Sequence, residues 1–272
     1  MWLFLVILAL LIAMCVFFNI QYRLFFPASK KLRILEYHSI STNGFEDQIT
    51  ITKDKFIVQM DYLKKNNYQT LWLSEVEALQ KQKKALPPKS VVLTFDDGFL
   101  DTYTELFPLL KEYNFKAVCF LVLGRIGKNI DWPGKYVDHS TMLMSKSQIL
   151  DSTSHIEFGY HTFKHDNYTK LTFEEIEKDL QLCQEVIEKE QLPVYPALAY
   201  TFGRYFRKKD KKQQRFFRLL EQYGIKYGLR IGNRINRFPL NTRYEIQRID
   251  IRGFESMEVF KKKIVLGRSK LF

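Results

Sequence analysis

Cysteine is scarce in this sequence, and the few cysteines are not arranged in pairs. The chain has 272 residues and three cysteines, at positions 15, 119 and 183, with no Cys-x-x-Cys motif. An odd number with this spacing predicts neither a disulfide framework nor a structural zinc site. Cys119 and Cys183 fall within apolar patterns, so we expect both to be buried and unreactive.

The sequence also lacks internal repeats and low-complexity linkers. Its hydrophobic residues (46%) and aromatic residues (15%) exclude a disordered chain, and its length allows one large or two small domains. Acidic residues are few, 30 against 42 basic ones, which gives a net charge of +12. This balance suggests a polyanionic neighbour. Nucleic acid is not indicated, because no recognition helix, zinc finger or RNA-binding sheet is recognisable.

Much of the excess charge lies in one stretch. Residues 204–218 contain eight basic residues and a single acidic one, Asp210. A solvated helix face accounts for this pattern without any partner. The functional alternative is docking on anionic lipid or on an acidic wall polymer.

One hydrophobic run stands out at the N-terminus. Residues 1–18 are all apolar and nothing charged precedes Arg23. Because a helix through residue 20 approaches the ~30 Å thickness of the bilayer core, we predict an uncleaved signal anchor over residues 1–22, a short linker over 23–31 and one domain over 32–272. A cleaved signal peptide is the alternative. Basic residues after the run would favour a cytoplasmic body, which conflicts with an anchor that exposes the body outside.

From residue 32 onward, short β-rich runs alternate with amphipathic helical stretches. This alternation predicts a parallel sheet with helices packed outside it. Eight strands are expected, over residues 33–38, 69–73, 90–95, 117–123, 156–161, 196–201, 226–231 and 245–251, a number that suits a barrel. Capping boxes predict helix starts at Ser74, Ser145 and Thr172.

The strongest chemical signal is the run Thr94-Phe95-Asp96-Asp97-Gly98 at the end of a hydrophobic strand. Parallel α/β folds place functional groups at the carboxyl ends of strands. If the chain turns at the glycine, one carboxylate can bind a metal while the other stays free as a base. A simple turn with solvated side chains is the alternative for this motif alone.

A second motif, His161-Thr162-Phe163-Lys164-His165, follows another strand. Histidines at i and i+4 lie on one face of a helical turn, where both rings can reach one ion. Two histidines and one carboxylate form a three-ligand set that leaves positions open for water and substrate, as a hydrolytic metal requires. Together, the two motifs predict a metal site.

A third strand ends in the loop Tyr200-Thr201-Phe202-Gly203. Taken in order, the three motifs closely resemble those of the polysaccharide deacetylase family, also called the NodB-homology or carbohydrate esterase 4 family, over about residues 32–255. The runs Leu35-Glu36-Tyr37-His38 and Ile246-Gln247-Arg248-Ile249 are similar to the subgroup that deacetylates poly-β-1,6-N-acetylglucosamine in biofilm formation.

The resemblance implies a distorted (β/α) barrel of the NodB-homology type and a metal-dependent hydrolase of non-peptide carbon–nitrogen bonds. It identifies Asp96 as the general base and the Phe202 backbone N–H as a donor to the oxyanion. The implied cation is usually Zn²⁺, although the family also uses other divalent ions. The implied metal ligands are Asp97, His161 and His165, and the substrate-binding candidates are Tyr200, Gly203 and Tyr205.

The sequence departs from the usual family pattern at two points. The general acid is commonly a late histidine, yet none occurs after His165. In the biofilm subgroup the equivalent histidine comes from the first strand, so His38 is the candidate acid; a hydrogen-bonding role inside the barrel is the alternative. Thr201 replaces a common proline, which leads us to expect a less rigid oxyanion loop and modest activity.

The resulting functional hypothesis is an N-deacetylase of a surface N-acetylglucosamine polysaccharide, with the catalytic domain outside the bacterial cell membrane. Poly-β-1,6-N-acetylglucosamine is the expected substrate. Peptidoglycan or chitin oligomers are alternative substrates, and a catalytically weak glycan-binding protein is the alternative class. Four aromatic residues are candidate sugar-stacking platforms: Trp132, Tyr136, Tyr205 and Phe206.

Overall fold

The structure is a computed structural model that describes residues 2–22, 26–132, 141–207 and 210–269. The helices of these residues are α1 (Trp2–Tyr22), α2 (Lys53–Lys65), α3 (Leu73–Lys81), α4 (Phe107–Tyr113), α5 (Lys146–Asp151), α6 (Phe173–Glu190), α7 (Lys211–Gln222) and α8 (Met257–Leu266). The strands are β1 (Lys31–Tyr37), β2 (Ser39–Ser41), β3 (Thr50–Thr52), β4 (Gln69–Thr70), β5 (Ser90–Phe95), β6 (Ala117–Leu121), β7 (Ile156–Tyr160), β8 (Val194–Ala199), β9 (Tyr227–Ile231), β10 (Asn236–Arg237) and β11 (Ile246–Asp250).

Seven parallel strands form a closed barrel. Their order is β1, β11, β9, β8, β7, β6, β5, and β5 pairs back with β1. The closing register runs from Arg33 opposite Val91 to Tyr37 opposite Phe95. This closure confirms the predicted (β/α) barrel and brings all seven carboxyl ends to one rim.

Every predicted barrel strand overlaps an observed one, but the expected count of eight is wrong for the barrel wall. The run at 69–73 contributes only the short strand β4, which pairs with Ser90 and Val91 at the start of β5. From Leu93 onward, β6 occupies the same edge of β5. Because that edge is taken, β4 stays outside the closed ring. On the other side, β10 pairs antiparallel with the start of β1.

Side chains along the strands alternate between two hydrophobic clusters. In β5, Val92 belongs to a cluster inside the barrel with Val118 and Phe120. Leu93 belongs to the larger cluster between barrel and helices, which also contains Cys119 and Cys183. Alternation of this kind is expected of strands covered on both faces. The predicted burial of these two cysteines is confirmed.

Two of the three predicted capping boxes are confirmed. Ser145 accepts from the backbone of Gln148, and Thr172 accepts from the backbone of Glu175. The prediction at Ser74 is wrong, because α3 begins one residue earlier and Glu75 accepts from the N–H of Trp72.

The N-terminal run forms α1, as its apolar composition predicts. Within the described part of the chain, no helix meets both the length and the apolar character that crossing a membrane requires. The anchor over residues 1–22 stays a prediction.

The basic stretch at 204–218 includes α7. Asp210 caps this helix by accepting from the N–H groups of Lys212 and Gln213, and Arg215 donates to Glu174. Lys208 and Lys209 lie outside the described residues. Docking of this stretch on an anionic lipid or wall polymer stays a prediction.

Candidate functional site

The carboxyl ends of four barrel strands bring the predicted catalytic residues to one rim. His38 follows β1, Asp96 and Asp97 follow β5, and His161 follows β7. Asp96 lies within 4.0 Å of His38 and of His161, and His161 lies 3.4 Å from Asp97. Phe202 follows β8, and its ring meets that of His165 edge-on at 4.8 Å. Motifs that are far apart along the chain therefore lie together around the rim of the barrel.

The predicted metal ligands converge on a single carboxylate oxygen. Oδ1 of Asp97 lies 3.4 Å from Nε2 of His161 and 3.1 Å from Nε2 of His165. All three residues are buried, and their nitrogen and oxygen atoms lie close enough together to hold one ion.

The backbone conformation of these residues is unusual. Asp97, Thr162 and His165 all have φ between 64° and 72°, a region that L-residues other than glycine rarely adopt. The turn that separates the two adjacent carboxylates therefore begins at Asp97 itself and continues through Gly98, where φ is 77°. At Gly98 a Cβ atom would also lie 2.8 Å from the side chain of Leu121.

The hydrogen bonding of His161 fixes which ring nitrogen faces Asp97. Nδ1 lies 2.9 Å from the carbonyl oxygen of Ala199, which can only accept, so Nδ1 carries the proton. Burial lowers the pKa of His161 to about 4, against the opposing charges of Asp96 and Asp97. In the neutral ring, Nε2 then directs a lone pair towards Asp97.

A divalent cation fits this arrangement. Oδ1 of Asp97 is buried without a hydrogen-bond donor, and the neutral Nε2 of His161 that faces it is an acceptor as well. Two acceptors directed at each other in a buried site are unfavourable unless a cation lies between them. Two imidazoles and one carboxylate are a ligand set typical of Zn²⁺ and related ions.

Asp96 lies in a different environment from its neighbour. Arg248 binds it with two parallel hydrogen bonds, from Nη1 to Oδ1 at 2.6 Å and from Nη2 to Oδ2 at 2.7 Å. Nε of Arg248 lies 3.2 Å from Oε2 of Glu36. The guanidinium is completely buried between the two carboxylates, a geometry that fixes the plane of Asp96.

The two carboxyl groups that Arg248 contacts have pKa values shifted in opposite directions. Burial would raise the pKa of Asp96, but Arg248 and His161 hold it well below its usual range. At the other end, burial raises the pKa of Glu36 to about 7, against the attraction of Arg248. Asp96 is therefore a carboxylate at neutral pH. Arg248 also fills the space between Glu36 and Asp96, so we do not assign a second cation to the group that these two residues form with His38.

His38 also approaches Asp96, and one of its ring nitrogens lies near the carboxyl groups of both Asp96 and Glu36. Its Nε2 lies 4.0 Å from Oδ2 of Asp96, and its side chain keeps 19% of its surface exposed. The next residue, Ser39, donates to Asp101, which ties the start of β2 to the loop after Asp97. Beside this strand lies a groove of about 380 Å³ lined by Ser39, Phe45 and Phe99.

Aromatic rings enclose His165. Trp132 stacks on the imidazole with ring centroids 4.6 Å apart. Since Trp132 is only 7% exposed, its predicted role as a sugar platform is not supported. Phe206 packs between Phe173 and Phe216, and Tyr136 lies outside the described residues.

The three predicted substrate-binding residues turn inward. Tyr200 is 1% exposed and donates its hydroxyl to the carbonyl of Tyr244. Tyr205 stacks on Tyr200 and is almost as buried, and a Cβ at Gly203 would lie 2.8 Å from Ile231. The side chains of Tyr200 and Tyr205 are therefore packed in the core. Substrate binding by this loop stays a prediction. Phe202 differs, since its ring is 56% exposed.

Thr201 also behaves differently from the expectation. Its hydroxyl donates to the carbonyl oxygen of Asp166 at 2.6 Å. This bond joins the predicted oxyanion loop to the loop that carries His161 and His165. The bond opposes the loosening expected of Thr201, and the modest activity stays a prediction.

Sequence reasoning missed Arg248 and Glu36. The segments that contain them resemble the biofilm subgroup, but the resemblance assigns neither residue a role. A usable signal was present, because a charged residue stands within an apolar strand run in both Leu35-Glu36-Tyr37 and Arg248-Ile249. Buried charges in strands require a partner.

Comparison with known proteins settles the family. The model for the family described as "Polysaccharide deacetylase" matches residues 83–228, more than half of the chain. The chain belongs to the polysaccharide deacetylase family. The matched segment contains Asp96, Asp97, His161 and His165.

The alignments with individual relatives are longer than the segment that the family model matches. The Bacillus subtilis polysaccharide deacetylase YxkH is 30% identical over 176 residues, which cover 64% of this chain and 58% of that protein. This chain thus spans little more than half of that relative. The poly-beta-1,6-N-acetyl-D-glucosamine N-deacetylase of Staphylococcus aureus is 26% identical over 235 residues, 83% of this chain and 71% of that protein.

Solved polysaccharide deacetylase structures share the fold. IcaB from Ammonifex degensii gives a TM-score of 0.69 at 20% identity, covering 88% of this chain and 97% of that one. The Streptococcus pyogenes deacetylase PplD, solved in complex with acetate, gives 0.68 at 23% identity, with coverage of 86% and 98%.

Proposed function

We propose that this protein is a metal-dependent N-deacetylase that removes acetyl groups from N-acetylglucosamine residues of a polysaccharide. One observation carries the proposal: the buried, donor-free oxygen of Asp97 between two histidine Nε2 atoms, directly beside a second carboxylate that is held separately. Metal-assisted amide hydrolysis requires both a metal ligand and a separate general base.

The residues divide the chemistry among them. When bound at Asp97, His161 and His165, a divalent cation supplies Lewis acidity to the acetamide carbonyl and lowers the pKa of a water. Asp96 accepts the proton as that water attacks the carbonyl carbon. Arg248 holds the Asp96 carboxylate in one orientation, and each oxygen keeps a lone pair for the proton because a carboxylate offers about four acceptor positions.

Collapse of the tetrahedral adduct needs a proton on the departing amine. His38, when protonated, stands within reach of the same centre and is the proposed general acid. The Phe202 backbone N–H is the proposed donor to the oxyanion. The C–N bond breaks as the amine takes the proton, so that glucosamine and acetate are the products.

The proposed substrate is poly-β-1,6-N-acetylglucosamine. The Staphylococcus aureus relative named for this polymer covers 83% of the chain, which supports the choice. The groove beside His38 offers room for sugars next to the one that reacts. A surface polymer as substrate also supports placing the catalytic domain, residues 32–272, outside the cytoplasm in biofilm formation.

The test is direct release of amine and acetate. The purified full-length chain is stripped with chelator, reloaded with Zn²⁺ and incubated with β-1,6- and β-1,4-linked N-acetylglucosamine oligomers. We expect free amine and acetate in equal amounts, faster from the β-1,6 oligomers, and none in the chelated sample. Faster release from β-1,4 oligomers would reassign the substrate to chitin- or peptidoglycan-type chains. A zinc-loaded protein that hydrolyses neither would contradict the proposal.

A further inference from the structure

The two histidines proposed to bind the metal, His161 and His165, lie on one loop, residues 161–168, between β7 and α6. Thr162 and His165 adopt left-handed backbone conformations, with φ of 66° and 64°. Neither is a glycine or an asparagine, so this conformation is unfavourable for the isolated loop. It persists only if contacts with the rest of the protein hold it.

One set of contacts holds the carbonyl groups of this loop. The N–H of Leu123 donates to the carbonyl of Thr162 at 3.1 Å, and the N–H of Gly124 donates to that of Phe163 at 2.9 Å. At Gly124 a Cβ atom would lie 2.5 Å from the same Phe163 carbonyl oxygen. The close approach leaves no room for a larger residue.

The opposite side is held by one carboxylate. Asp179 of α6 accepts from the backbone N–H of Phe163 at 3.0 Å through Oδ2, and from the hydroxyl of Tyr168 through Oδ1. Phe163 lies between the two histidines, and Tyr168 stands at the end of the loop. Asp179 therefore ties the middle and the end of the loop to one helix.

Packing alone does not explain an acidic residue here. Asp179 is 6% exposed and shares the buried side of α6 with Ile176, Leu180 and Cys183. Burying a carboxylate in such surroundings is costly, and burial raises the pKa of Asp179 to about 6 despite the hydrogen bonds from Tyr168 and Phe163. An apolar residue would suit the helix better, so the carboxylate is there for its bonds to the loop.

We propose that Asp179 is a positioning residue that holds loop 161–168 so that the Nε2 atoms of His161 and His165 both face Asp97. The inference rests on the metal site of the proposed function and adds to it a residue that touches neither metal nor substrate. Groups that orient ligands in this way typically change metal affinity ~10- to 100-fold when removed.

The test compares two carboxylates that each accept from backbone N–H groups of another segment, Asp179 of α6 and Glu157 of β7. Glu157 also accepts from backbone N–H groups, those of Leu73 and Ser74, but it holds the start of α3. Asp179→Ala, Asp179→Asn and Glu157→Ala are made in the full chain and stripped with chelator. Zn²⁺ affinity is measured by calorimetry, Co²⁺ coordination by visible absorption, and stability by thermal unfolding.

We expect Asp179→Ala to weaken Zn²⁺ binding ~10- to 100-fold and to alter the Co²⁺ spectrum. Asp179→Asn should largely restore both, because its amide oxygen can accept from Phe163 while its amide nitrogen donates to the Tyr168 hydroxyl. Glu157→Ala should lower the unfolding temperature and leave Zn²⁺ affinity unchanged.

Three results would overturn the inference. Asp179→Ala with wild-type affinity would show that the loop holds itself, and equal losses in Asp179→Ala and Glu157→Ala would show only general loosening. Failure of the wild-type chain to bind Zn²⁺ would refute the metal site and the inference together. If Asp179→Ala does not fold, Asp179→Leu, which fits the apolar side of α6, takes its place under the same criteria.

Discussion

Asp96 and Asp97 are neighbours in the sequence, yet the two sides of the site that they belong to are built in different ways. The Asp97 side consists of His161 and His165, which lie in one five-residue motif within the matched family segment. The Asp96 side is assembled from Glu36, His38 and Arg248, all of which lie outside that segment.

The difference shows how one fold gives two carboxylates two roles. Asp97 has a buried oxygen with no donor and two imidazoles, an environment that favours a cation. Both oxygens of Asp96 are bound by a buried guanidinium, which keeps the group ionised and oriented. Environments that separate a pair of carboxyl groups in this way assign them distinct chemical roles.

The sharpest way to break the comparison is to remove each carboxylate in turn. Asp97→Ala should abolish activity and weaken Zn²⁺ binding by two orders of magnitude or more, because a ligand is lost. Asp96→Asn should keep Zn²⁺ affinity within about tenfold but lower kcat by ~10²- to 10⁴-fold, the usual effect of losing a general base. Calorimetry and acetate release measure the two effects. If both variants lost Zn²⁺ equally, the division into two sides would be wrong.

The second prediction concerns the clamp on Asp96. Arg248→Met leaves Asp96 and Glu36 buried without their shared cation, and should lower the free energy of unfolding by ~3–5 kcal/mol. Denaturant unfolding in the presence of chelator measures this loss without a contribution from metal.

The matched control is the double variant Arg248→Met/Glu36→Gln. It removes the Glu36 carboxyl group, so it should be more stable than Arg248→Met alone by a margin that grows as the pH rises above about 7, where Glu36 ionises. If the double variant were no more stable, Glu36 would not share the guanidinium in the way that the 3.2 Å contact indicates.

The sequence predicts the Asp97 side of the site better than the Asp96 side. The candidate ligands His161 and His165 follow from the spacing of one short motif, whereas the choice of Asp97 over Asp96 follows from the family resemblance. The strand that bears Arg248 reaches β5 only because the barrel closes through β1, and 152 positions separate Arg248 from Asp96. No local pattern encodes that contact. Tyr200 and Tyr205, predicted as substrate-binding candidates, are core residues.

The third prediction tests the proton donor on the Asp96 side. His38→Gln should lower kcat by ~10²-fold or more while leaving Zn²⁺ affinity unchanged, because His38 approaches Asp96 and is not among the metal ligands. Steady-state kinetics on β-1,6 oligomers, with zinc content measured in parallel, separates the two effects. An unchanged kcat would remove His38 from the acid role.

The smallest expected effect concerns Asp179, which supports the Asp97 side of the site. It appears as a pH dependence of stability. Burial raises the pKa of Asp179 to about 6, above the ~3.9 of an exposed aspartate. The folded state therefore binds this proton more tightly than the unfolded state, and stability falls as pH rises from about 4 to 6. Asp179→Asn has no such proton to lose. Measured by urea unfolding in chelator, the stability of Asp179→Asn relative to wild type should rise by ~2–3 kcal/mol between pH 3.5 and 7. A difference that does not vary with pH would mean that the pKa of Asp179 is the same in the folded and unfolded states, with its two hydrogen bonds fully offsetting its burial.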